Sequence, residues 1–234
     1  METKPKILLI EDEKNISDSL TLILEEEGYC VNVSPTGKNG LKQYPANDLL
    51  ILDLMLPDIN GLDVLKEIRK TNPVYPILIV SALSSEDDLI TGLSMGADDY
   101  ITKPFSVKEL VHRIKRTLKR QTLYQDKVGS SSKNKFFLFG KNMNVDFERL
   151  TAVTSDGARN LTSQEANILF YLISNQGKVI SRKNLLEQIW GHNREIETRT
   201  IDNFIVRFRK YFELDPKNPK HFITKRGEGY IFCK

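Results

Sequence analysis

Apolar and polar positions in the first half of the chain alternate between two periods. Short apolar runs of strand length are separated by segments in which apolar residues recur every three or four positions. The runs are residues 7–10, 30–33, 49–52, 77–80 and 100–101. Near-continuous apolar strands, each followed by an amphipathic helix, are typical of a parallel sheet covered by helices on both faces. The sequence therefore predicts a five-stranded, parallel, doubly wound α/β domain.

Local signals place the ends of two helices in this half. Gly28 closes the first helix. Ser106 and Glu109 form a capping box that opens the last helix, whose final apolar position is Leu118. From Gln121 onward the helical pattern fails, so we expect the domain to end there.

The pattern changes in the second half. Residues 122–135 are polar, small and aperiodic, which predicts a linker. Beyond it, four short runs with a turn at Ser155–Gly157 predict antiparallel strands. These strands are expected at 136–139, 144–147, 150–154 and 159–161. The predicted parts are therefore a domain at 1–121, a linker at 122–135 and a second domain at 136–234.

Three helices and a hairpin complete the second domain. Thr162 and Glu165 form a capping box before the first helix, and Ser181 caps the second. The third runs from about Thr198 to Phe212. A final hairpin turns at residues 226–229, where Gly227 and Gly229 suit a tight turn that closely approaches another backbone.

Composition and charge narrow the class of protein. No stretch approaches the roughly 20 apolar residues of a membrane span, and the first residues lack a signal-peptide core. The two cysteines are far apart and have no metal-like spacing, which favours a reduced, cytoplasmic chain. Residues 1–121 hold 15 Lys and Arg against 19 Asp and Glu, a net charge of −4, whereas residues 122–234 hold 19 against 12, a net charge of +7. The second half therefore suits a polyanion, although this asymmetry could also arise by chance.

Polar side chains stand where the predicted parallel strands end. Glu11, Asp12 and Glu13 follow the first strand, and Asp53 follows the third in LLILDLMLPD. Ser81 follows the fourth strand, and Lys103 follows the fifth. Carboxylates at one sheet edge are hard ligands suited to Mg²⁺ or Mn²⁺, and an adjacent lysine and serine can bind a tetrahedral anion. Such a set predicts a phosphoryl-transfer site with Asp53 as the nucleophile.

Four stretches resemble the receiver domain of bacterial response regulators, which has a flavodoxin-like fold. They are ILLIEDE, ILDLMLPDINGLDVL, ILIVSA and GADDYITKPF, in the order and at the spacing of that family. The resemblance implies that Asp53 accepts a phosphoryl group from a sensor histidine kinase. It assigns Glu11, Asp12, Asp53 and the Met55 carbonyl to the metal, Ser81 and Tyr100 to a switch pair, and Lys103, before a cis Pro104, to the phosphate.

The third helix of the second domain is amphipathic. On a helical wheel its aromatic and aliphatic residues share one face, and Arg199, Asn203, Arg207 and Lys210 lie on the other. Such a helix suits the DNA major groove, although a solvated basic face is the ordinary alternative. Val206 lies on the basic side and could meet a thymine methyl group or leave one phosphate without a contact.

The whole second domain resembles the winged-helix effector domain of OmpR/PhoB regulators. The stretches that carry the resemblance are LTSQEANILFYLISNQG, ISRKNLLEQIWG, ETRTIDNFIVRFRKYF and ITKRGEGYIF. The resemblance implies DNA contacts by Arg199, Thr200, Asn203, Arg207, Arg209, Lys210, Thr224, Arg226 and Tyr230. Tyr230 has core packing as its alternative, and Trp190 is expected in the core.

The same resemblance implies a homodimer on phosphorylation, with Asp99 and Arg113 in intermolecular ion pairs. Surface charge is the alternative for both residues. The loop Gly191–Ile196 is where relatives touch RNA polymerase. The sequence thus predicts a two-component response regulator that binds promoter DNA. Rival hypotheses are a Mg²⁺-dependent phosphatase or transferase, disfavoured by Met55 where a second acid is expected, and a DNA-binding regulator that works without phosphorylation.

Overall fold

A computed structural model describes residues 4–129, 136–140, 142–191, 196 and 198–234, with the side chains of 120–129 outside the description. The chain divides into two compact units, Met1–Leu123 and Tyr124–Lys234. The described part contains no helix with the length and apolar character of a membrane span.

The first unit is a five-stranded parallel sheet with helices between consecutive strands. The strand order is β2-β1-β3-β4-β5. The strands are β1 Lys6–Ile10, β2 Cys30–Ser34, β3 Leu49–Leu52, β4 Ile77–Ser81 and β5 Asp99–Thr102. The helices are α1 Lys14–Glu26, α2 Gly37–Gln43, α3 Gly61–Thr71, α4 Glu86–Ser94 and α5 Val107–Gly129, and a 3₁₀ turn spans Tyr44–Ala46. The predicted doubly wound α/β fold is confirmed.

The central strands are buried because both of their faces are apolar. Apart from Lys6, the side chains of β1, β3 and β4 are almost fully inaccessible to solvent, and apolar side chains of α1 and α5 pack against one face of the sheet. Pairing is in register at the strand ends, with Ile10 opposite Leu52 and Leu52 opposite Ile79. The residues that follow these strands therefore emerge at one edge of the sheet.

Helix α5 differs from the prediction. The backbone of Glu109 donates to the Ser106 hydroxyl over 3.2 Å, as expected of a helix cap. The helix then continues to Gly129, so that the first eight residues of the predicted linker 122–135 are helical. Residues 120–129 are mostly polar but contain no proline and only one glycine, which allows a helix to continue without an apolar face. Residues 130–135 lie outside the described chain.

The described part of the second unit combines two antiparallel sheets and three helices. The first sheet has the order β6-β7-β8-β9, and the second, which contains the predicted hairpin, has the order β10-β12-β11. The strands are β6 Phe136–Phe139, β7 Met143–Asp146, β8 Thr151–Thr154, β9 Gly157–Asn160, β10 Val179–Ile180, β11 Phe222–Lys225 and β12 Gly229–Phe232. The helices are α6 Ser163–Ser174, α7 Arg182–Trp190 and α8 Arg199–Phe212. This is the predicted winged helix-turn-helix architecture.

Caps and aromatic packing fix these elements. Thr162 and Glu165 form the predicted capping box, and Ser181 caps α7. Phe139 stacks on Phe212 with ring centroids 4.2 Å apart, which joins the first sheet to α8. Trp190 is fully buried, as expected. A Cβ at Gly229 would lie 2.1 Å from the Ile180 carbonyl oxygen, so β12 can approach β10 only with glycine there.

Candidate functional site

The strand ends of the first unit bring one lysine onto two carboxylates. Lys103 Nζ lies 2.6 Å from Asp53 Oδ2 and 2.7 Å from Glu11 Oε2. Glu11 follows β1, Asp53 follows β3, and Lys103 follows β5, with its backbone N–H donating to the Ser81 carbonyl over 2.8 Å. Asp53 is only 5% exposed. The Asp53 carboxylate can be buried after an apolar strand because the Lys103 ammonium lies against it.

The backbone around Asp53 is closely packed. The amide of Met55 donates to Asp53 Oδ1 over 3.0 Å, so both carboxylate oxygens are engaged. A Cβ at Gly61 would lie 2.3 Å from the Asp53 carbonyl oxygen. Glycine at the start of α3 therefore lets this helix begin directly against the backbone of the site.

Burial and charge shift the ionisation of this cluster. Burial raises the pKa of Glu11, and the neighbouring Asp53 carboxylate adds to the rise, while Lys103 acts against it. Burial alone would lower the pKa of Lys103, but hydrogen bonds to Asp53 and Glu11 outweigh it and raise that pKa. Lys103 is therefore held in its charged form. Two carboxylates around one ammonium leave an anionic site.

The predicted metal ligands are only partly gathered. Glu11 and Asp53 share Lys103, whereas the Asp12 side chain is exposed. No three His, Cys, Asp or Glu side chains within the described residues are placed to hold a metal ion together. Glu13 is exposed, and its backbone N–H donates to Glu11 Oε1 over 3.3 Å.

The predicted switch pair lies in the interior. Ser81 is fully buried, and its Oγ accepts a long hydrogen bond of 3.4 Å from the Leu83 amide. Tyr100 is 0% exposed, and its hydroxyl donates to the Leu83 carbonyl oxygen over 2.8 Å. The loop after β4 thus connects both side chains, with the Tyr100 ring turned inward. The peptide bond before Pro104 is cis, as expected.

Asp99 and Arg113 are paired with each other inside one chain. Arg113 Nη1 lies 3.0 Å from Asp99 Oδ1, and Arg116 also contacts Asp99. Arg113 further binds Glu109 over 2.6 Å. Both predicted interface residues are buried, which corrects the alternative that they are surface charges. Both residues therefore form their ion pairs with side chains of their own domain.

Helix α8 presents part of the predicted basic surface to solvent. Arg199, Asn203, Val206 and Lys210 are exposed. In the hairpin β11–β12, Thr224 and Arg226 are exposed as well. These side chains are therefore accessible to solvent on the surface of the second unit.

The structure corrects two predicted DNA contacts. Thr200 is 0% exposed and lies on the buried side of α8, so it cannot reach a base. Tyr230 is 4% exposed, and its hydroxyl donates to Asp202 Oδ1 over 2.6 Å. Tyr230 is therefore a core residue, which was the alternative interpretation. Helix α8 and β12 meet at this contact.

Two further arginines of α8 bind neighbouring elements of the second unit. Arg207 Nη1 lies 3.0 Å from Glu165 Oε1, and this carboxylate also accepts from the Tyr211 hydroxyl. Arg209 donates to the Phe222 carbonyl oxygen from Nε over 2.9 Å and from Nη2 over 2.6 Å, and it also binds the Thr224 hydroxyl. These arginines attach α8 to α6 and β11.

A polar cluster that no sequence pattern predicted joins three elements of the second unit. Arg182, at the start of α7, donates to Asp202 Oδ1 over 2.7 Å and to the Tyr230 hydroxyl over 3.1 Å. Its guanidinium also lies 4.7 Å from the Tyr230 ring centroid. Arg182 follows the cap Ser181, and Asp202 lies in the first turn of α8, but neither position signals a tertiary contact.

Comparisons with known proteins agree with both units. Residues 7–115 match the family model of the response regulator receiver domain, and residues 156–232 match that of the C-terminal domain of transcriptional regulatory proteins. A probable transcriptional regulatory protein of Picosynechococcus sp. is 40% identical, over 99% of this chain and 94% of its own length.

Two solved structures are similar over nearly the whole chain. A cysteine-to-serine mutant of RitR is 28% identical, covers 97% of this chain and 98% of its own, and has a TM-score of 0.75. DrrB, a Thermotoga maritima OmpR/PhoB homolog, is 32% identical, covers 99% and 100%, and has a TM-score of 0.50.

A receiver domain followed by a winged-helix domain defines a two-component response regulator that binds DNA and regulates transcription. The chain belongs to the OmpR/PhoB family of these regulators. Members of this class are transcriptional regulators and not enzymes, as the sequence predicted.

Proposed function

We propose that Asp53 accepts a phosphoryl group from a sensor histidine kinase, and that this modification controls dimerisation and sequence-specific DNA binding. The observation that carries the proposal is the 2.6 Å contact between Lys103 Nζ and Asp53 Oδ2 at a buried strand end. A lysine in this position neutralises charge on the oxygens of a phosphoryl group.

The chemistry is an in-line displacement at phosphorus. A carboxylate oxygen of Asp53 attacks the phosphorus atom of a phosphohistidine, the new P–O bond forms, and the P–N bond to imidazole breaks. The leaving imidazole takes up a proton from solvent. Lys103 faces the added negative charge, and the Ser81 hydroxyl lies at the end of the neighbouring strand, where it can hydrogen-bond a phosphoryl oxygen.

The carboxylates fit Mg²⁺ or Mn²⁺. Glu11, Asp12, Asp53 and the Met55 carbonyl would hold the ion, which would supply further positive charge near the phosphoryl group. The fit rests on donor chemistry, since two buried carboxylates share one ammonium and leave the site anionic. Exposed Asp12 would have to turn toward them.

The switch pair offers a route from Asp53 to the α4–β5–α5 face. A Ser81 hydroxyl drawn toward a phosphoryl group changes the loop whose Leu83 carbonyl oxygen holds the Tyr100 hydroxyl. On that face Asp99 and Arg113 would exchange their internal partners for those of a second chain. A dimer presents two winged helices to paired DNA half-sites, which raises the effective concentration of the second.

Fewer residues form the proposed DNA-binding surface than the resemblance implied. Arg199, Asn203 and Lys210 on α8 would face the major groove, and Thr224 and Arg226 in the wing would face the adjacent minor groove. Arg207 and Arg209 would act from the sides of α8, where they also hold α6 and β11. Arginine and asparagine read guanine and adenine bidentately.

The remaining assignments are also proposals. The chain would act in the cytoplasm, with a receiver at residues 1–121 and an effector domain at 136–234. A contact with RNA polymerase through the loop Gly191–Ile196 falls largely outside the described residues, because 192–195 are not among them.

One observation favours a second candidate function, DNA binding without phosphorylation. Tyr100 is buried, with its hydroxyl on the Leu83 carbonyl oxygen. A switch tyrosine that lies inward without a phosphoryl group would need less change to present the dimerisation face.

One experiment tests both candidates. The full chain is incubated with acetyl phosphate and Mg²⁺, and an acid-labile phosphoryl group is measured alongside DNA binding. We expect one phosphoryl group in the wild type and in Asp87→Asn, an exposed control, and none in Asp53→Asn. Uptake by Asp53→Asn would contradict the phosphoacceptor assignment. Equal operator affinity of Asp53→Asn and phosphorylated wild type would favour the second candidate.

A further inference from the structure

Helix α4 contains a glycine that the helix itself does not need. Gly92 lies within Glu86–Ser94 and does not have a positive φ, whereas the helix is terminated by Gly96, whose φ is 106°. Glycine is a poor helix former beside alanine. A buried glycine with ordinary helical conformation therefore points to a neighbour that needs the space.

That neighbour is Tyr100. A Cβ built at Gly92 would lie 3.1 Å from Tyr100 Cδ2 and 3.2 Å from Cε2, and also 2.8 Å from Ile79 Cδ1. The Ile79 atom is the end of a flexible side chain and can rotate away. The Tyr100 ring is rigid, fully buried and held at its far end by the 2.8 Å bond to the Leu83 carbonyl oxygen. The ring has little freedom to retreat while it stays inward.

We propose that Gly92 is a positioning residue for the switch: by lacking a side chain, it leaves the space in which the Tyr100 ring lies when turned inward. The inference rests on the proposed function, because it concerns the step that follows phosphorylation. A methyl group at position 92 disfavours the inward ring and leaves Asp53, Lys103 and Ser81 unchanged. Phosphorylation then continues, but its coupling to dimerisation weakens.

The test is Gly92→Ala in the full chain, with Thr91→Ala as the matched control. Thr91 is the exposed neighbour on α4, and its replacement also improves helix propensity without reaching Tyr100. Three quantities are measured: phosphoryl uptake from acetyl phosphate, the dimer dissociation constant of the phosphorylated chain, and the resonance of a fluorotyrosine placed at position 100. We expect Gly92→Ala to keep its uptake, to weaken dimerisation roughly tenfold, and to move the resonance toward that of a solvent-exposed ring.

A second pair of variants identifies which contact matters. Adding Gly92→Ala to Tyr100→Ala should change dimerisation no further, because the ring is already absent. Recovery of wild-type coupling in Gly92→Ala/Ile79→Val would instead make Ile79 the relevant neighbour and overturn the inference. If Gly92→Ala does not fold, folding of Gly92→Ala/Tyr100→Ala supports the inference, and its failure overturns it.

The outcomes separate this inference from the proposed function. A wild type that takes up no phosphoryl group contradicts the phosphoacceptor assignment, whereas the fluorine resonance reports on the Tyr100 ring in either case. An unchanged resonance in Gly92→Ala, with normal uptake, overturns the role of Gly92 and leaves the phosphoacceptor role of Asp53 intact.

Discussion

The guanidinium of Arg113 binds the fully buried carboxylate of Asp99 in the same chain, with Nη1 at 3.0 Å from Oδ1 and 3.1 Å from Oδ2. Arg116 contacts the same carboxylate, and Glu109 binds the far side of Arg113. Burial acts to lower the pKa of Arg113, but the charge of Asp99 and the hydrogen bonds to both carboxylates raise it. An intermolecular pair made from these residues has to replace contacts that they already have.

We expect Arg113→Ala to destabilise the first domain by about 3 kcal/mol, because truncation removes a guanidinium that binds both oxygens of the buried Asp99 carboxylate. Urea denaturation of the full chain, monitored with a spectroscopic probe in the first domain, measures the change in the free energy of unfolding. Lys70→Ala is the control, because Lys70 and Glu67 are also 2.6 Å apart but both are about half exposed. The control should lose at most about 0.5 kcal/mol. Equal losses in the two variants would mean that burial does not set the strength of these pairs.

Lys103 should control how the stability of the first domain depends on pH. Burial raises the pKa of Glu11 above its ordinary 4.5, so the native chain binds more protons than the unfolded chain just above that value, and stability falls as pH rises through this window. The pKa of Lys103 is raised above 10.5, so its contribution is complete below that value and is lost at higher pH. Both contributions to the stability therefore decrease as pH rises, because both pKa values are raised in the folded chain.

Lys103→Met should therefore cost about 3 kcal/mol near neutral pH, since Glu11 and Asp53 would be left buried without a cation. Acidification to about pH 5 should restore more stability in Lys103→Met than in the wild type, because protonation then removes the repulsion. Denaturation at both pH values in the presence of EDTA checks this. A parallel shift in the two proteins would show that Lys103 does not compensate the carboxylates.

Much of the first domain could be predicted from the sequence because its signals are local. An apolar run that stops at Asp53 marks both a strand and its end, and parallel pairing then places Glu11 and Lys103 at the same edge. No comparable signal marks Arg116, which contacts Asp99, because a basic residue in an amphipathic helix has the same pattern whether solvated or paired. The extension of α5 to Gly129 was missed because no apolar face marks it.

The second domain shows the same limit. A helical wheel distinguishes the apolar face of α8 from the polar one, and the exposed Arg199 and Asn203 were predicted by it. A wheel does not show what covers the flanks of a helix. Glu165 of α6 therefore escaped notice as the partner of Arg207, and the residue-by-residue resemblance placed buried Thr200 on the DNA side.

The contact between Tyr230 and Asp202 should orient the wing relative to α8. Tyr230→Phe removes one buried hydroxyl and should cost roughly 1 kcal/mol of stability and a few-fold of operator affinity. Tyr171→Phe is the control, because its hydroxyl donates to Asn184 over 2.9 Å between α6 and α7 and touches neither α8 nor the wing. The control should lose similar stability and keep its affinity. Denaturation and fluorescence anisotropy measure the two effects, and equal losses of affinity would contradict the orienting role.

Titration gives an independent test of the same contact. Burial, with a further contribution from Asp202, raises the pKa of Tyr230 to about 12. Because the native chain then binds more protons than the unfolded chain, stability falls as pH rises from the ordinary value of 10.0 toward 12. Spectrophotometric titration should lose one late-ionising phenol in Tyr230→Phe. Loss of a phenol that ionises near the ordinary value would show that Tyr230 is not buried against Asp202.

Val206 is 51% exposed and lies between the basic positions of α8, where it can meet DNA without contacting a phosphate. Val206→Arg should add about one phosphate contact, which raises affinity at moderate salt for operator and unrelated DNA alike and steepens the logarithmic salt dependence by about 0.9. Leu214→Arg adds the same charge at the 93% exposed residue just beyond the end of α8, and should change the slope much less. Anisotropy titrations at several salt concentrations measure both. If Val206 instead packs on a thymine methyl group, Val206→Arg will lose affinity for operator alone, because an apolar base contact is replaced by a charge that the base does not match.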